Sequence, residues 1–243
     1  MYALLKKEIA AFLHSLIGYI VITVFLLASG LFLWIFPGNF NIPDAGVSSL
    51  ENFFILAPWI FMFLIPAITM RTFAEEKRTG TIELLLTRPL TEWNIVLAKY
   101  FAALVLVALA ILPTLIYFYS VYMLGNPQGN IDTGSTWGSY IGLMMLAGTF
   151  VSVGLFASVL TDNQVIAFVL GFFLCFFLYT GFDSIAGFDF WGQFGLLISY
   201  LGISEHYASI SRGVVDSRDL VYFIGFILIF LILTRFKLLG RNW

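Results

Sequence analysis

The sequence predicts an all-α integral membrane protein with six transmembrane helices, and three observations lead there. Of its 243 residues, 60% are hydrophobic, 18% aromatic and only 11% charged, where a soluble domain carries roughly 25% charged residues. Twelve Lys and Arg with fourteen Asp and Glu cannot clothe a soluble surface, so the exterior faces lipid. Six apolar runs approach the length of about 20 residues that a helix needs to cross hydrocarbon. Basic residues gather on one side of those runs. The net charge of −2 leaves no basic footprint for nucleic acid. Cys175, the one cysteine, excludes a disulfide or a cysteine metal cluster within one chain.

In chain order, residues 2–14 set Tyr2, Leu5, Ile9, Phe12 and Leu13 on one helical stripe, with Lys6, Lys7 and Glu8 off it. This is the pattern of a helix lying in the membrane interface. His14, near its end, has no second ligand close by and reads as structural. The uncharged run 16–38 follows and closes at Pro37-Gly38. At 23 residues it exceeds a signal-peptide core, and no clear cleavage site follows, so it reads as a retained span. The second span covers 52–70 with Pro58 and Pro66 inside, where bending is cheap, and the third covers 100–124 with a kink expected at Pro113. The fourth, 137–160, repeats small residues at Gly138/Gly142, Gly148/Ser152 and Gly154/Ser158, a spacing that lets backbones approach. Because the pattern covers the whole helix, packing inside one subunit is favoured over a dimer seam. The fifth span is 165–182 and the sixth 220–239, the latter extended past Arg235 and Lys237, whose stems can snorkel. Phe190 to Ile203 is too short to cross and suits a re-entrant segment within the outer stretch 183–219.

With both termini cytoplasmic, ten basic residues lie inside and only Arg212 and Arg218 outside. Trp34, Trp137 and Trp191 then mark the outer interface and Trp93 and Trp243 the inner one, while Trp59 lies deeper and reads as a packing residue. The outer loops 39–51 and 125–136 are short and read as simple turns. In the outer stretch, Glu205, His206, Arg212, Asp216 and Asp219 could form a gate or docking site; the plainer expectation is that Arg212 and Arg218 pair with Asp216 and Asp219.

The most charged stretch is the inner segment 71–99. Within it, Thr79-Gly80-Thr81 offers an N-cap, Glu83 falls in the first turn, where the helix dipole favours an acid, and Leu84, Leu85 and Leu86 make a short apolar helix that Pro89 ends. Thr91 can cap the next helix. Three consecutive leucines outside the membrane want a groove, in a partner protein or among headgroups.

The run from Glu75 to Pro89 resembles the signature loop of ABC-2 type transporter permeases, in which a Glu, a Gly-Thr pair, Glu-Leu-Leu and a Pro recur at this spacing. Lys7-Glu8 before Phe12 looks like that family's amphipathic entry helix, and His206-Tyr207, Ser211-Arg212-Gly213 and Asp216-x-x-Asp219 resemble the stretch after its outer re-entrant hairpin. Within the family the likeness is greatest to the gliding-motility-associated permease subunits. The resemblance implies a permease of the bacterial inner membrane with no ATPase site of its own. It implies a nucleotide-binding ABC subunit that carries ATP and Mg and grips Glu76, Gly80, Thr81, Glu83, Leu84, Leu85 and Pro89. It further implies a second permease-like subunit, or a second copy of this chain, with the first and fifth spans and Cys175 near the seam. The sequence agrees in lacking any Gly-Lys dipeptide, hence any P-loop. Export, mechanical work for gliding, a non-transporting anchor, and export of drugs or lipids all fit such a subunit.

An intramembrane enzyme is disfavoured. Glu75-Glu76 is followed by Gly80 where a glutamate-dependent protease might place Arg, and His14 and His206 fall on opposite faces. No charge sits in the middle of a span, which also disfavours a channel or proton-coupled carrier.

Overall fold

The computed structural model describes residues 1–86, 91–188 and 194–240. Among them there is helix and no strand, and six helical segments are long and apolar enough to cross a membrane. Helix α1 (Tyr2–Leu13) precedes α2 (Leu16–Gly30), which starts from a Ser15 cap and continues as a wider π-helical turn to Ile35. After the short α3 (Ile42–Ala45) comes α4 (Glu51–Arg78). A six-residue helix, α5 (Thr81–Leu86), leads toward α6 (Glu92–Ile111), capped by Thr91 as expected. A 3₁₀ turn at Leu112–Thr114 separates α6 from α7 (Leu115–Leu124). This is the kink expected of Pro113, whose missing N–H interrupts the helical ladder.

Helix α8 (Thr133–Leu160) is the central post, with α4, α9 (Gln164–Phe176) and α13 (Ser217–Leu239) packed around it. Its small residues are used inside the subunit. A Cβ on Gly154 would collide with Thr69 of α4, so the two backbones approach closely there. Ser158, one turn on, accepts the Phe73 and Ala74 N–H groups at 3.1 Å each and donates to Met70 O at 3.0 Å. Its hydroxyl is spent on α4's backbone where that helix leaves its apolar stretch. Pro58 and Pro66 are buried in α4 without breaking it.

Helix α9 continues through a π-helical turn into α10 (Phe182–Ala186), which packs against α11 (Phe194–Ser199). Helix α12 (Ile203–Ile210) then returns to the bundle. Its Tyr207 hydroxyl donates to Phe54 O of α4 at 2.8 Å, and Ser139 and Ser135 of α8 donate to Ser211 O and Arg212 O at 2.8 Å each. Helix α1 and the last turns of α13 lie at the opposite end of the bundle, where Glu8 meets Lys99 and the Arg235 guanidinium lies 5.2 Å from the Trp93 ring centre.

Several expectations change. The inner segment 71–99 is mostly helix: α4 runs on to Arg78 and α6 begins at Glu92, so only 79–91 separates them apart from α5. Charge hid this continuity, because a helix can leave hydrocarbon without ending. Cys175 is fully buried in its own chain, while Phe173 and Phe176 lie on the exposed face of α9. Trp59 is half-exposed rather than packed away, touching Tyr179 edge to face. The expectations resting on Pro89, Trp191 and Trp243, and on the side chains of Leu84 and Leu85, lie outside the described residues.

Candidate functional site: the charged elbow at the termini

At the end that carries the N-terminus, α1 packs on α6, and α5 packs against the end of α4. The helix α1 turns Leu4 and Glu8 inward, leaving Tyr2, Lys6 and Lys7 exposed and Ile9 and Leu13 half-buried. Expected on the outer side of α1 with Lys6 and Lys7, Glu8 is instead buried. Its counter-ion is Lys99, of which 1% is exposed. The Lys99 ammonium donates to Thr72 O at 2.7 Å and to Glu76 Oε1 at 2.8 Å, and reaches Glu8 Oε1 at 3.4 Å. It also lies 5.1 Å from the Phe73 ring centre, over its face. One cation thus ties α1, α4 and α6 together. Two carboxylates share it, and Glu76 Oε2 is left buried without a hydrogen-bond partner.

In the sequence Lys99 is one more basic residue of the inner segments, with nothing to set it apart by charge. The signal that could have found it is its place on α6 between Val96, Ala98 and Tyr100, all buried, which leaves an ammonium no route to water.

Beyond Glu76 the chain turns sharply. Thr79 closes α4, its hydroxyl donating to Glu75 O at 2.9 Å, rather than opening α5. Gly80 then adopts φ +70°, a left-handed conformation that a residue with a Cβ resists. Helix α5 follows with Ile82 buried and Thr81 and Glu83 exposed, so Ile82 anchors it to the body while these two polar residues face outward. Of the expected gripped residues, Gly80, Thr81 and Glu83 share this surface, while Glu76 belongs to the buried charge cluster.

At the other end, Asp219 pairs with His206 Nδ1 at 2.7 Å, not with an arginine. His206 Nε2 lies 3.0 Å from Tyr200 O, and the imidazole stacks on Tyr222 at 3.9 Å. Arg212 donates from Nε to Ala208 O at 3.1 Å. Asp216 caps α13 through the Arg218 N–H at 2.9 Å. That hydrogen bond above all, helped by the Arg218 charge and the Ser217 hydroxyl, holds the Asp216 carboxyl below its usual range against an opposing desolvation. The sequence reading paired by charge; the helical turn of α12 instead aims His206 at α13. Glu205 is exposed, and among the described residues no group of His, Cys, Asp and Glu could hold a metal ion.

Six apolar helices, one of them the small-residue post, with ionic groups near their ends among the described residues, define a multi-pass membrane protein. The chain belongs to the ABC-2 family of transporter proteins, which it matches over residues 2–239. It is a permease-type membrane component, not itself catalytic. No curated protein matches it.

Proposed function

We propose that the chain is the permease half of a transporter whose ATP, with its Mg, is bound and hydrolysed on a separate nucleotide-binding subunit that grips α5. The observation carrying this reading is the unbroken helix α4. It passes from the packed bundle to Arg78 and hands over, through one left-handed glycine, to a helix with Thr81 and Glu83 exposed. A push on α5 is therefore delivered to α4 without a flexible linker, and the Lys99 cluster passes it to α6 and α1. Both termini and α5 face the cytoplasm of a bacterial inner membrane, as the ten-to-two distribution of basic residues supports. A second permease subunit, this chain or a relative, completes the membrane part. The work done is export or mechanical work, and the resemblance to gliding-motility permeases supports service in that machinery.

The test is co-purification with a candidate ABC nucleotide-binding subunit, followed by ATP turnover, for wild type and Glu83→Arg. The variant reverses the charge in the first turn of α5, on a side chain already in solvent, so insertion should be unaffected. The expected result is loss of assembly or a clear fall in ATPase rate. Wild-type behaviour of the variant would remove α5 from the coupling role.

A further inference from the structure

Beside the Lys99 cluster, between α1, the start of α2 and the end of α4, lies a cleft of about 240 Å³. Three positive and three negative side chains line it: Lys7, Arg71 and Lys99 against Glu8, Glu75 and Glu76. Lys99 is held by Glu76 and Glu8. Lys7, Arg71 and Glu75 make no ion pair among the described residues, and Lys7 and Arg71 are exposed. The floor is apolar, formed by Phe12, Ile17 and Ile68. It continues along the first turns of α2 into Leu16 and Ile20, which are exposed. The cleft thus sits where charged residues give way to hydrocarbon-facing ones, with free charge of both signs above and an apolar path leading out.

We propose that this cleft binds the head group of an ethanolamine phospholipid, with the phosphate between Lys7 and Arg71, the ammonium on Glu75, and an acyl chain along Leu16 and Ile20. The charge pattern selects among head groups. A phosphate without an amine leaves Glu75 unmatched beside it, which disfavours an anionic lipid. A choline head group keeps the positive charge but has no N–H to donate, so it forgoes the charge-assisted hydrogen bond to Glu75. The primary ammonium supplies that donor. The volume lies below the roughly 300–1,000 Å³ of sites for drug-sized ligands, so one head group fills it. The inference needs only that the chain lies in a bilayer; it is independent of any ATPase partner.

The experiment is native mass spectrometry of the full chain in mild detergent, titrated with phosphatidylethanolamine, phosphatidylcholine and phosphatidylglycerol of identical acyl chains. The ethanolamine lipid should be retained about five-fold more than either competitor, as one exposed charge-assisted hydrogen bond allows. Glu75→Gln should lower ethanolamine-lipid retention more than choline-lipid retention and so narrow the gap between them. Lys7→Gln with Arg71→Gln should lower retention of both zwitterionic lipids together, with helicity by circular dichroism unchanged because both side chains are exposed. Soluble phosphoethanolamine, which lacks the acyl chains, should not displace the lipid; displacement would assign the cleft to a soluble zwitterion and overturn the membrane source. Equal retention of the three lipids, preference for the glycerol lipid, or indifference to these variants would each overturn the proposal.

Discussion

A lysine with 1% of its surface exposed, at the foot of a membrane helix, survives there only because every donor is used. Lys99 has a carbonyl and two carboxylates around it, from α4 and α1. Replacing it by Met leaves Glu8 and Glu76 facing each other without their shared cation, and we expect Lys99→Met to cost about 3–5 kcal/mol of stability. Adding Glu8→Gln and Glu76→Gln to that variant should recover part of the loss, because the stranded charges are then gone. Thermal unfolding in detergent would decide it; a single variant as stable as wild type would mean that the cluster does not hold the helices. Asp216 gives a residue-scale prediction in pH. Its folded pKa is lowered, so its contribution is present above the ordinary carboxylate value of 3.8 and is lost as pH falls through the depressed value. The melting difference between wild type and Asp216→Ala should therefore be full at neutral pH and shrink in strong acid. A difference that stayed constant with pH would mean that the capping charge is immaterial.

Among the elements, α8 is committed to the inside of its own subunit. Gly154→Val would drive two methyl groups into Thr69 of α4, and we expect destabilisation of about 1–3 kcal/mol. Gly225 of α13 has nothing within 4 Å of an added Cβ, so Gly225→Ala is the control, expected to be neutral or slightly stabilising. Equal melting temperatures for the two variants would count against a tight α4–α8 contact. The elbow is governed by Gly80: Gly80→Ala forces a left-handed alanine, at about 1 kcal/mol. It should alter the aim of α5 and lower ATPase coupling more than overall stability, a split visible by measuring both on the same preparation.

For the whole molecule, the orientation is open to a direct test because Cys175 is fully buried and the chain has no other thiol. Thr79→Cys and Val47→Cys place reporters on exposed residues at opposite ends of the bundle. In intact cells an impermeant maleimide should label Val47→Cys and leave Thr79→Cys unmodified until the membrane is opened. The reverse pattern would invert the topology and remove α5 from the reach of a cytoplasmic ATPase.

The amino-acid sequence by itself determined the membrane class, six spans, the Pro113 kink, the Thr91 cap and the short helix at Thr81–Leu86. Each follows from information local in the chain: apolar length, a missing N–H, a capping side chain, a punctuating glycine. Only the tertiary structure decided that Glu8 and Lys99 meet, 91 positions apart, that Asp219 takes His206 rather than an arginine, and that Cys175 points inward. The hydropathy of a membrane helix is nearly uniform around its circumference, so it reports burial in lipid and in protein alike. Which face meets a neighbour is set by shape, where small residues let α4 approach α8, and by the few ionic groups that must find one another once water is gone.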